Sequence, residues 1–171
     1  MTSHEGPGPV QALDVGGTKL EAGLVEVSGA VRDRRRVPTP RGRDADVWAA
    51  VRTVVEPLLS AAGPAPAAVG VGCGGPMSAG GARVSPLNIE GWRDFPLRER
   101  LAELAGLPVR VDNDAKALAL AEGRWGAAQR VDDYLAMVVS PGVGGGIVLD
   151  GRLLDGAAGN DTLIGGLGDD V

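Results

Sequence analysis

The chain has 171 residues, 44% hydrophobic and 23% charged, the composition of one globular domain or one lobe of a larger protein. Its net charge of −5, from 17 basic and 22 acidic residues, argues against nonspecific nucleic-acid binding. One cysteine, Cys73, and one histidine, His4, exclude an intrachain disulfide and a Cys/His zinc cluster. No run approaches the roughly 18 apolar residues of a membrane span, and no signal pattern opens the chain, so a cytoplasmic protein without membrane or nucleic-acid partners is expected.

In chain order, residues 1–9 read as a flexible tail. Val10 to Val15 is the first strand, and it runs into Gly16-Gly17-Thr18-Lys19. Two readings stand for this stretch. It is a tight turn with solvated flanks, or a phosphate loop in which glycines allow close backbone approach and Asp14 carries a divalent cation. Leu20 to Val27 alternates as a second strand and Ala30 to Val37 forms a third, with Arg32, Arg34 and Arg36 on one face. That row is a solvated sheet face or a binding patch. Pro38 to Arg43 is a loop.

Asp44 or Asp46 caps a helix to about Ala62, with Val47, Val51, Val54, Val55, Leu58 and Leu59 as its apolar stripe, Trp48 packing beside it and Pro57 shortening it. Ala67 to Cys73 is a strand entering Gly74-Gly75-Pro76. Gly80-Gly81 is a turn, and Ser85 to Trp92 has no period and reads as irregular loop. Pro96 to Ala105 is a helix with Leu97, Leu101 and Leu104 inward. Pro108 to Val111 is a strand delivering Asp112-Asn113-Asp114 to a helix over Ala115 to Trp125. Asn113-Asp114 reads as an N-cap, or as a hydroxyl-binding Asn beside a general base. Tyr134 to Ser140 is a strand, Gly142 to Gly146 a glycine loop, Ile147 to Asp150 a strand, and Asp150-Gly151 a hairpin turn. Glycine, 28 residues, is about twice the usual 7% and sits in clusters, which points to specific loops. The order predicts an α/β fold with an antiparallel start followed by crossover units.

Five stretches occur in order: L-D-V-G-G-T-K, G-V-G-C-G-G-P-M, S-P-L-N-I-E-G-W, V-D-N-D-A-K-A-L-A-L-A-E and G-V-G-G-G-I-V-L-D-G-R-L-L-D-G. Together, over about Val10 to Asn160, they resemble the ROK family (repressors, open reading frames, kinases), and within it the glucokinase-like sugar kinases. The resemblance implies an actin-like, ribonuclease-H-like ATPase lobe over residues 10–155. It implies transfer of a phosphoryl group from ATP, with Mg²⁺, to a hexose, most simply glucose. By position, Asp14, Gly16, Gly17, Thr18 and Lys19 match the first phosphate motif, with Asp14 near the metal. Gly142, Gly144 and Gly145 match the second. Asp114 matches the catalytic base, Asn113 a sugar-hydroxyl ligand, and Gly75, Pro76 and Asn88 the sugar-pocket loops. Homodimers are common in the family.

Three departures accompany the match. Pro141 stands where the second phosphate loop usually has a hydroxyl residue. The family's Glu-x-Gly-His contact, its zinc motif and its second lobe have no counterpart here, so the chain reads as an incomplete kinase, weak or inactive alone. Residues 156–171 resemble calcium-binding RTX nonapeptide repeats, G-G-x-G-x-D-x-U-x, with Ala157 replacing one glycine. At one full copy and part of a second they read as a disordered end. A ROK sugar-responsive regulator and a noncatalytic fusion acting through the calcium-repeat tail are the alternatives. Against the regulator stand the acidic charge and the nine residues ahead of the first strand.

Overall fold

The computed structural model describes residues 8–139 and 143–154. Ser140, Pro141, Gly142, most of the N-terminal tail and the RTX-like stretch lie outside them.

The first three strands are β1 (Val10–Val15), β2 (Lys19–Val25) and β3 (Val31–Pro38). They form an antiparallel meander, to which β4 (Ala68–Cys73) and β5 (Val109–Asn113) add in parallel beside β1. The resulting order is β3-β2-β1-β4-β5. Helix α1 (Asp44–Leu59) crosses from β3 to β4, and α2 (Leu97–Ala105) from β4 to β5, as parallel neighbours require. Helix α3 (Asp114–Trp125) then leads to a second sheet of β6 (Tyr134–Val139), β7 (Val143–Leu149) and β8 (Arg152–Leu153). The antiparallel start and crossover units match the sequence expectation.

The core follows from alternation. Leu13, Val15, Leu20, Ala22 and Leu24 turn one sheet face inward, and α1 lays Val47, Val51, Val54, Val55 and Leu58 upon it. Gln11, also on that face, donates from Nε2 to the Val55 carbonyl at 2.9 Å. Arg43, not an acid, occupies the α1 N-cap position; Asp46 reaches back to accept the Arg43 N–H at 3.3 Å, while Asp44 is the first helical residue. The helix closes at Leu59, two residues after Pro57, and short of Ala62.

The arginine row does not share one face. Asp33 adopts φ 50°, and the β2–β3 register shifts between Ala22 and Leu24. This bulge inserts one residue and inverts the alternation beyond it. Arg34 and Arg36 therefore pair with Glu21, whereas Arg32 stands opposite Leu24 and donates to the Ala62 and Pro64 carbonyls past the end of α1.

The 85–92 stretch is irregular but anchored. Trp92 is fully buried, stacks on Phe95 at 4.2 Å, and donates from Nε1 to the Asp44 carbonyl at 3.3 Å.

Candidate active site

Parallel register sets the site. Asp14 of β1 stands beside Gly72 of β4, and Gly72 beside Asp112 of β5; across the antiparallel side Asp14 faces Glu21, and Glu21 faces Arg36. One rung thus runs Arg36–Glu21–Asp14–Gly72–Asp112. Just beyond it, β1, β4 and β5 release the chain at the same level into Gly16-Gly17, Gly74-Gly75-Pro76 and Asp114. In parallel sheets the carboxyl ends of the strands are where ligands are held.

Asp14 is accessible at this edge, and its carboxyl is pushed above the ordinary carboxylate value. Partial desolvation is the main cause and the nearby Asp114 charge adds to it, while Lys19 opposes it. Lys19 is held by Glu21, Nζ to Oε2 at 3.0 Å. Beneath the edge, Cys73 is fully buried and its thiol is pushed up to about 12, chiefly by burial, so it stays protonated and inert.

Asn113 and Asp114 realise the capping reading in full. Asn113 Oδ1 accepts the Ala115 N–H at 3.0 Å and Asp114 Oδ1 accepts it at 2.9 Å. The cap does not compete with a chemical role. Asp114 stays exposed at the sheet edge, where a Cβ on Gly72 would lie 3.6 Å from the Asp114 Cβ. Gly75 and Pro76 tie down the 85–88 loop, whose Asn88 lies against Gly17. Leu87 N–H donates to the Gly75 carbonyl at 3.3 Å and Ser85 N–H to the Pro76 carbonyl at 2.8 Å, next to the cis Gly75–Pro76 bond.

Gly16 and Gly17 are not among the residues with positive φ, so conformational freedom is not why they are glycines. The reason is close approach. A Cβ on Gly17 would overlap the Asn88 Cβ, and one on Gly16 would sit 3.0 Å from the Lys19 carbonyl. The turn is closed by Gly16 N–H donating to that carbonyl at 3.1 Å.

The second glycine stretch departs from expectation. Val143 to Gly146 is strand, not loop: Gly144, Gly145 and Gly146 pair with Val138, Met137 and Ala136. The physical reason is packing. A Cβ on Gly144 would be 3.0 Å from the Ala115 Cβ, and one on Gly146 would be 2.6 Å from the Ala119 Cβ. These two glycines let α3 lie on the sheet. Gly142 lies outside the described residues.

Sequence reasoning missed Thr39, whose hydroxyl donates to the Gly16 carbonyl at 2.6 Å, and Glu21, which gathers Lys19, Arg34 and Arg36. The placement of Thr39 between two prolines was the available signal. An open groove of about 360 Å³ between α3 and β6 is lined by none of the residues named as candidates.

A mixed sheet of this order, with an antiparallel start and helical crossovers, is an actin-like ATPase lobe. The ROK family model matches residues 10–167, and the chain belongs to that family. N-acetylmannosamine kinase of Citrobacter koseri is 42% identical over 159 residues, covering 92% of this chain and 52% of the relative. A ROK glucokinase from Streptomyces griseus, solved with glucose and AMPPNP, superposes with TM-score 0.80 at 35% identity, over 89% of this chain and 48% of that one. A ROK hexokinase from Thermus thermophilus gives 0.78 at 41%, over 88% and 50%. The chain spans about half the length of the curated relatives it matches.

Proposed function

We propose that these residues form the N-terminal half of an ATP-dependent sugar kinase, with the substrate-facing groups in this half. The observation that carries this is the convergence of Asp14, Asp114 and the Asn88 loop at the carboxyl ends of three parallel strands, in a chain of this family.

Asp114 takes the proton from the attacking sugar hydroxyl. Asn113, its Oδ1 spent on the cap, offers its amide N–H groups to a neighbouring hydroxyl. Gly75, Pro76 and Asn88 wall the sugar. Gly16, Gly17, Thr18 and Lys19 face the phosphates of ATP, and the residues at Gly142, Gly144 and Gly145 complete the phosphate contact. Since Gly144 and Gly145 lie in β7, that contact would use strand backbone. Among the described residues no group of three or more His, Cys, Asp or Glu side chains gathers. A single carboxylate at Asp14 suits Mg²⁺ that keeps waters and phosphate oxygens as its other ligands. Bound there, Mg²⁺ supplies charge neutralisation on the transferred phosphoryl group, where catalysis is positioning and electrostatics.

The sugar is a hexose. Glucose is supported by the Streptomyces structure, and N-acetylmannosamine by relatives at 40–42% identity. Calorimetry with each sugar decides between them, and loss of that binding in Asp114→Ala tests the site. A coupled ADP assay should show weak or absent turnover by this half alone; robust hexose-dependent turnover would overturn the half-cleft reading. A ROK transcriptional regulator shares the fold at TM-score 0.76 and 28% identity. The paired carboxylates at Asp14 and Asp114 favour phosphoryl transfer over sensing. Homodimerisation, a cytoplasmic location and the absence of nucleic-acid and membrane partners belong to the same proposal. Among the described residues no helix is long and apolar enough to cross a membrane.

A further inference from the structure

The Gly16–Lys19 turn is gripped from outside by a single residue. Thr39, the first residue after β3, is half-buried and uses both of its donors on the turn. Its hydroxyl donates to the Gly16 carbonyl at 2.6 Å and its N–H to the Thr18 carbonyl at 3.0 Å. A trans peptide unit is planar, with its C=O and N–H pointing in opposite directions. Drawing the Gly16 carbonyl toward Thr39 therefore turns the Gly17 N–H away from Thr39. On its other flank the turn meets Asn88, which leaves no room for a side chain at Gly17. A turn of glycines without such a hold would lose its shape cheaply.

We propose that Thr39 is a positioning residue that aims the Gly17 N–H toward bound phosphate, an inference that rests on reading Gly16–Lys19 as a phosphate turn. The side-chain hydroxyl does the aiming; the backbone N–H of Thr39 would survive any non-proline substitution.

The test compares the wild-type chain with Thr39→Val, Thr39→Ala and Thr39→Ser, using residue-resolved NMR and hydrogen exchange. Loss of one such hydrogen bond should speed exchange of the Gly16 amide about fivefold in the Val and Ala variants, with β4 amides unchanged as the check on folding. Thr39→Ser should restore wild-type exchange. MgATP should shift the wild-type Gly17 amide resonance. The Val and Ala variants should bind MgATP about fivefold more weakly, with sugar affinity unaltered and Ser rescuing. Wild-type exchange and MgATP affinity in Thr39→Val would overturn the role of Thr39. No MgATP shift in the wild type would instead overturn the phosphate-turn reading beneath it.

Discussion

Asp14 and Glu21 face each other across β1 and β2, yet their carboxyls are displaced in opposite directions. Glu21 is held below its ordinary value, first by its hydrogen bond from Lys19 and then by Arg36. Its contribution to stability is present above its unfolded value and is lost as pH falls through the folded one. Asp14 is raised by desolvation, so its linkage has the other sign: its stabilising contribution is complete below the unfolded value and is lost as pH rises through the folded one. At neutral pH an ionised Asp14 is therefore a cost. Asp14→Asn should leave the melting temperature at pH 7 equal to or above wild type, and that advantage should vanish in acid. The same change should remove Mg²⁺-dependent nucleotide binding. Glu21→Gln should lower the melting temperature at pH 7 and converge with wild type in acid. A melting series from pH 3 to 8 separates the two. In the role proposed for Asp114, a general base in position is worth about 10²–10⁴ in rate. Asp114→Asn, in a kinase completed by the second half, should cost kcat about that much with little change in KM for ATP.

The strands and helices bearing these residues were legible to within a few positions, because alternation and the 3.6-residue stripe report burial directly. The same patterns put Asp14 near the end of β1 and Asn113-Asp114 at the start of α3, whereas the roles proposed for them come from the family resemblance. What escaped depends on pairing geometry. No local pattern marks the extra residue at Asp33 that sends Arg32 toward α1, since a bulge is set by how β2 and β3 register. Nor does sequence separate glycines that open a loop from glycines that admit a helix. Gly144 and Gly146 are the second kind, and this carries a prediction about β7. Gly146→Ala places a methyl 2.6 Å from the Ala119 Cβ and 3.2 Å from the Ala115 carbonyl, so α3 must shift. Overpacking of this sort costs about 1–3 kcal/mol. Gly145→Ala on the opposite face meets the Ala136 carbonyl at 3.2 Å and the end of Leu135 at 3.5 Å, a milder conflict. Urea denaturation should rank Gly146→Ala well below Gly145→Ala. Equal midpoints would mean the glycines are not there for α3.

The two sheets differ in how they are covered. The five-stranded sheet carries α1 on one face, and its inward side chains are buried. The three-stranded sheet has α3 against the face of Gly144, Gly146 and Val148, while Leu135, Met137, Val139 and Val143 stand exposed on the other. Val139 and Val143 pair directly and are 75% and 74% exposed. Strand β6 is also an edge of that sheet, so apolar side chains coincide with unpaired backbone groups among the described residues. Contiguous apolar surface and an uncovered edge are the two conditions for strand-to-strand association. A charged pair should act on association without acting on the fold. Met137→Lys with Val139→Lys puts two cations on the edge strand, where lysine opposes edge pairing. Both positions are exposed, so folding stability should stay within about 0.5 kcal/mol per substitution. Sedimentation velocity should show less self-association in the double variant, with an unchanged melting profile at low concentration. If association persists undiminished, its seat is elsewhere. If the melting profile falls sharply, these residues carry packing that their exposure does not suggest.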